Sequence, residues 1–185
     1  MRSVAGAISY GKPATVNRGT ITYMPSTVRP AQPEDAPFIT GLAGRLAEVS
    51  GLPWLPQDAT DRFAASGCHQ AAAAIGKPGH AVVIASDSSD EPVGFAHVHL
   101  DQSAFTGETV GYVSVVVVVA DAAGSGVGRC LMVAAELWAR QQGCALITLE
   151  VFATNAIARA VYERLGYREQ TLKLAKRLDN TSGSA

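Results

Sequence analysis

The sequence predicts an α/β fold built on one central sheet, and three observations predict it. β-branched residues run almost unbroken over 113–119, the composition of a strand buried on both faces. A glycine loop, Gly124-Ser125-Gly126-Val127-Gly128, then opens a helical pattern that lasts to about Gln142. The alternation repeats at once: an apolar run over 145–151 is followed by a second helical pattern from about Asn155 to Leu165, closing on Gly166-Tyr167. At 185 residues the chain suits one domain with a proper core.

Taken in order, residues 1–20 contain Gly, Ser and Thr without a sustained period and read as a flexible leader. A first strand is expected over 21–29. A helix then starts near Pro33, which fits a first helical position, while Glu34 and Asp35 suit the positive end of the helix dipole. Phe38, Leu42, Leu46 and Val49 recur at helical spacing and mark its buried stripe. A proline-bounded loop over 51–57 carries Trp54 at its centre. A second helix is expected over 60–75, with Gly76 as its C-cap and His69 at its surface.

Residues 80–85 and 92–100 are strand-like segments joined by turn residues, hence a hairpin. On its second strand Val93, Phe95, His97 and His99 share a face. A loop over 102–109 leads into the central strand at 110–119. The helix behind the glycine loop presents Val127, Leu131, Ala135 and Trp138 as a core stripe, with Cys130 read as a small core residue. Residues 169–176 are expected to add one or two final strands, and 180–185 form a polar tail.

Composition excludes several classes. Apolar residues make up 48% and charged residues 17%, with a formal net charge of −1. That is globular, and it offers no basic field for nucleic acid and no polybasic cluster for a membrane surface. The longest apolar stretch is far short of a membrane span, and the first residues lack the apolar core of a signal peptide. Cys68, Cys130 and Cys144 are scattered, which reads as reduced thiols in a cytoplasmic protein. His97 and His99 are spaced as strand ligands, but no other His, Cys, Asp or Glu cluster has matching spacing, so no metal is expected. They read as solvent-facing or hydrogen-bonded histidines, with a role at an acceptor site as the alternative.

A strand, a glycine loop and a helix start together make an anion site. Glycine permits positive φ and close approach of a ligand to the backbone, and the first helical N–H groups have no intrahelical partners. A Walker-type loop needs Gly-Lys-Ser/Thr, whereas Gly128 is followed by Arg129-Cys130. A dinucleotide site needs Gly-x-Gly-x-x-Gly and an acid about 20 residues on. Glu150 sits near that place, but the spacing here is Gly-x-Gly-x-Gly and only one more helix follows.

Residues Asn155-Ala156-Ile157-Ala158-Arg159-Ala160-Val161-Tyr162-Glu163-Arg164-Leu165-Gly166-Tyr167 closely resemble the motif B signature of the GNAT superfamily of acetyl-CoA-dependent N-acetyltransferases. The stretch Val118-Val119-Ala120-Asp121-Ala122-Ala123-Gly124-Ser125-Gly126-Val127-Gly128 is similar to its motif A, whose core is Arg/Gln-x-x-Gly-x-Gly/Ala. Ala123 stands at the Arg/Gln position, which removes one side-chain contact to a pyrophosphate. The resemblance implies a single GNAT domain over 21–179. Its sheet would be mixed and mostly antiparallel, with six to seven strands flanked by about four helices, in a monomer or homodimer.

The resemblance also implies roles. Acetyl-CoA would be the acyl donor and a small-molecule or protein amine the acceptor. The pyrophosphate would rest on the amides of Gly124, Ser125, Gly126, Val127, Gly128 and Arg129. The pantetheine arm would pair with the backbone of Val116, Val117 and Val118, with the Val118 N–H facing the developing oxyanion. Tyr162 would protonate the leaving thiolate, and Asn155 would cap its helix, contact the cofactor arm, or both. Tyr112 stands where some members of the family place a glutamate base. Glu150 and Glu108 are then the candidate bases, with His97 or His99 acting through a water as a further option. Trp54 is either a substrate contact or a hydrophobic plug beneath its loop. Because that base is missing, a non-catalytic acyl-CoA-binding or sensing module is the alternative function.

Overall fold

The computed structural model describes residues 27–176 and 178. The leader, residues 21–26 of the expected first strand and the polar tail lie outside the described residues. Five strands form one sheet in sequential order: β1 (Thr27–Pro30), β2 (His80–Ser86), β3 (Pro92–Gln102), β4 (Thr109–Val118) and β5 (Ile147–Leu149). Pairing is antiparallel from β1 to β4 and parallel between β4 and β5. The parallel step needs a crossover, which α4 (Val127–Gln141) supplies.

Helices cover both faces. On one face α1 (Ala36–Gly41), α2 (Ala43–Val49) and α3 (Gln57–Ala73) pack Ile39, Leu42, Cys68 and Ala71 against Val82, Ile84, Phe95, Val115 and Val117. On the other, α4 sets Val127 and Leu131 against Val28, Ala85 and Ala96, and Met132 and Ala135 against Val98 and Val113. α5 (Ala156–Arg164) leans on that second layer through Tyr162 and on through Leu165 just beyond it. With both faces covered, the β-branched run of β4 is used as its composition requires: alternate valines serve alternate cores.

Two expectations are corrected. The described residues form five strands, not six to seven, because 169–176 adopts no strand. β5 offers an edge of only three residues, and Leu172 and Leu174 stay 76% and 91% exposed, so no ladder and no burial rewards ordering that segment. The α-helices number five instead of about four, because the first expected helix breaks at Leu42 into α1 and α2. Its entry is a short 3-10 turn, Pro33–Asp35, and the Asp35 carboxylate accepts from the Gln32 N–H at 2.7 Å and pairs with Arg29 at 2.7 Å. Gly76 takes a left-handed φ of 73° but lies two residues beyond the C-cap Ala74, because α3 starts and ends earlier than the sequence predicts.

Candidate active site

The central feature is a gap between two strands. The β4–β5 ladder pairs Gly111 with Ile147, Tyr112 with Thr148 and Val113 with Leu149, and stops there. β4 continues to Val118 with β3 on one side only. A β-bulge opposite His97 inserts one residue into β4, since His97 faces Val115 while Val98 faces Val113. The bulge changes which backbone groups look outward. Before it, the Gly111 N–H donates toward β5, to Leu146 O at 3.0 Å. After it, the Val119 N–H donates to Val93 O at 2.9 Å, beside β3, so strand alternation turns the backbone of Val116 and Val118 to the open edge. Arg45 of α2 reaches that edge, and its Nε donates to Val118 O at 3.3 Å.

The glycine loop closes one end of the gap. After a 3-10 turn at Ala120–Ala122 the chain passes through Gly124 and Gly126, with φ of 77° and 94°. The Ala123 N–H is spent on Ala120 O, and the Ser125 N–H and hydroxyl both go to Ala122 O. Gly126 is the N-cap of α4, and the first helical bond joins the Cys130 N–H to Gly126 O. The amides of Gly126, Val127, Gly128 and Arg129 are therefore the first-turn donors that no helical carbonyl takes, at the positive end of a 15-residue helix. Of the six amides the sequence singles out, that of Ser125 bonds back to Ala122 O, and those of Gly126, Val127, Gly128 and Arg129 are the ones that precede the first helical bond. Cys130 beside them is no activated thiol: burial pushes its pKa up.

Tyr162 lies on α5 and packs against the buried cluster of Val98, Val113, Met132 and Ala135, its ring 5.8 Å from that of Tyr167. Burial raises its pKa, so the phenol holds its proton at neutral pH. Asn155 is the N-cap of α5: its Oδ1 accepts from the Ala158 N–H at 3.0 Å and its Nδ2 donates to Val49 O at 3.2 Å. Thr154 adds a bond to Gly51 O at 2.7 Å, and Phe63 meets Phe152 edge-on at 5.6 Å. These contacts tie the loop between α2 and α3 to the β5–α5 junction. Trp54 rides on that loop, 44% exposed, so it is not a buried plug.

The candidate bases sit at different places. Glu150 follows β5 directly and is exposed. Tyr112, on the neighbouring strand, has its pKa raised by burial and further by the negative charges of Glu150 and Asp101. Glu108 lies in the β3–β4 turn, where it accepts from the Thr106 hydroxyl, at the opposite end of β4 from the glycine loop.

Of the two readings given for His97, solvent-facing or hydrogen-bonded, the second holds: the residue is 4% exposed and its ring has hydrogen-bond partners. β2–β3 pairing sets His80 opposite His99 and Val82 opposite His97, which gathers three imidazoles on the α3 face. His80 and His97 approach at 3.0 Å, and the Ser114 hydroxyl, at the bulge, meets His97 Nδ1 at 2.7 Å. Burial first, then the charges of His99 and His80, lower the His97 pKa to about 4, so its ring is neutral at pH 7. The signal was available in the sequence: a hairpin joining 80–85 to 92–100 brings residue 80 near residues 97 and 99.

The site is thus a parallel ladder that stops at Val113–Leu149 beside the first turn of α4. Family comparison gives its class. The acetyltransferase (GNAT) family model matches residues 46–167, and the chain belongs to that family. An aminoglycoside N(6')-acetyltransferase type 1 from Stenotrophomonas maltophilia is 33% identical over 92 residues, 48% of this chain and 60% of the relative. Among solved structures, one described as an acetyl transferase from Pyrococcus furiosus superposes with a TM-score of 0.66 at 22% identity, covering 83% of this chain and 99% of its own. An aminoglycoside N-acetyltransferase in complex with CoA gives 0.62 at 20% identity, covering 88% and 98%. No described helix is long and apolar enough to cross a membrane.

Proposed function

We propose that this acetyltransferase moves the acetyl group of acetyl-CoA to a primary amine of a small molecule or a protein. The observation that carries the reading is the open edge of β4 beside the first turn of α4. The edge presents the Val116 and Val118 backbone to an amide-bearing arm, and the turn presents four amides to a diphosphate. Ala123 contributes no side-chain donor there, so the grip rests on backbone and on the nearby charge of Arg129. Tyr162, kept protonated by burial, is the donor to the departing thiolate. The amine must lose a proton before it attacks, and Glu150 is the better placed of the two carboxylates, because its charge already acts on Tyr112 while Glu108 sits at the far end of β4.

The test is acetyl-CoA-dependent thiol release across an amine panel, beginning with aminoglycosides, the substrate class named for a relative. Turnover with any amine, together with thermal stabilisation by acetyl-CoA, is the expected result. Stabilisation without turnover across the panel favours the non-catalytic acyl-CoA-binding module, which the phenol of Tyr112 in a base position motivates. Stabilisation by NAD(H) and not by acetyl-CoA overturns both.

A further inference from the structure

We propose that His80, His97 and His99 form a binding site for a divalent first-row transition ion, with Zn²⁺ as its natural occupant. One ligand atom from each ring lies within 4.8 Å of the others. The ring centroids are 5.3, 5.4 and 5.5 Å apart, a nearly equilateral triangle. Imidazole is a suitable ligand of Zn²⁺, and three protein ligands with a fourth position left to water is an established zinc arrangement.

The surroundings fix the rings as ligands need to be fixed. Ser114 Oγ donates to His97 O at 3.4 Å and can take the Nδ1–H of His97 at 2.7 Å, which leaves Nε2 as the lone-pair nitrogen facing His80. An outer partner that sets the tautomer of a ligating histidine is what metal sites use. The Nδ1 of His99 is buried without a hydrogen-bond partner among the described residues. A buried polar atom left so is costly, and a cation would remove the cost. The 3.0 Å separation of His80 Nδ1 and His97 Nε2 is close to that of two nitrogens on one tetrahedral ion. The cavity in front, about 310 Å³, is lined also by Gln70 and Lys77, which suit a water or an anion as fourth ligand.

The experiment uses the full chain without an affinity tag, stripped with chelator and titrated with Co²⁺ and Zn²⁺. The expected result is one ion per chain, visible absorption bands of a low-coordinate Co²⁺ that Zn²⁺ displaces, and a rise in Tm with Zn²⁺. His80→Ala and His99→Ala, each checked for folding by circular dichroism, lose the bands. Ser114→Ala weakens affinity by about 10- to 100-fold. His69→Ala, an exposed histidine on α3 outside the triangle, changes nothing. Absence of saturable binding to the wild type overturns the proposal, as does binding that survives both ligand variants or depends on His69.

Discussion

Val113 and Leu149 are the last pair of the β4–β5 ladder, and the bulge at Ser114–Val115 begins at the next residue of β4. The two events are coupled. A bulge strengthens local twist and swings a strand away from its neighbour. It also shifts by one residue the set of amides that faces outward, from Gly111 before the bulge to Val116 and Val118 after it. The same insertion that opens the gap therefore supplies it with hydrogen-bonding groups.

Gly126→Asp is expected to abolish stabilisation by acetyl-CoA. It puts a carboxylate at the N-cap of α4, where the diphosphate would sit, on a residue with φ of 94°. Gly143→Asp controls for backbone strain at a positive φ. Gly143 has φ of 83° and open space around its Cβ position, but it lies past the other end of α4, about 22 Å away along the helix. Thermal shift with acetyl-CoA is the measurement. Loss in the first variant and retention in the second is the expected pair, and equal behaviour of the two contradicts the anion site.

Tyr162→Phe removes a proton donor while keeping the ring that packs against Val98, Val113, Met132 and Ala135. The expected outcome is a fall in kcat of about 100-fold or more, the usual worth of a positioned general acid. Stabilisation by acetyl-CoA should be unchanged. A variant with wild-type kcat removes Tyr162 from the chemistry and leaves it as packing.

Much of this was legible in the sequence because it is local. The glycine loop, the cap at Asn155 and the hairpin each depend on residues within one or two turns of chain. The break at Leu42 was not legible: Phe38, Leu42, Leu46 and Val49 keep helical spacing across it, since α1 and α2 bury one continuous stripe. The opening after Val113 depends on where pairing between distant strands ends, and β5 covers only three of the seven positions in its run. The histidine triangle depends on register. His80 and His97 are 17 residues apart and meet because the β2–β3 ladder sets His80 opposite His99, two residues along the same face from His97. The absent final strands show the converse: Leu172 and Leu174 flank Lys173 with the alternation of a strand, but alternation without a neighbouring edge forms no sheet.

Asn155 has two jobs that substitutions can separate. Asn155→Ala loses the cap on α5, at a cost of about 1 kcal/mol, and also loses the bond to Val49 O. Asn155→Asp keeps a cap oxygen and loses only the donor to Val49 O at the end of α2, where the Trp54 loop begins. The alanine variant is expected to lower Tm and raise the KM for the amine. The aspartate variant should keep Tm and still raise that KM. If neither moves the KM, the tether to the loop has no part in acceptor binding.

Asp35 makes stability depend on pH in a stated direction. The hydrogen bond from Arg29 is the largest influence, opposed by burial and aided by the Gln32 N–H, and together they hold the carboxyl below its ordinary range. A native pKa below the unfolded one means the unfolded chain binds the proton first as pH falls. The contribution is therefore complete above the ordinary value of about 4 and is lost progressively below it, through the lower native pKa. Asp35→Asn, which leaves Arg29 without its partner, is expected to lower stability at pH 7 by about 1–3 kcal/mol. Urea denaturation of wild type and variant from pH 7 to pH 3 checks the sign. The gap between them should hold constant down to pH 5 and narrow below pH 4, whereas a gap that widens toward low pH would show that the carboxylate is held by burial and not by Arg29.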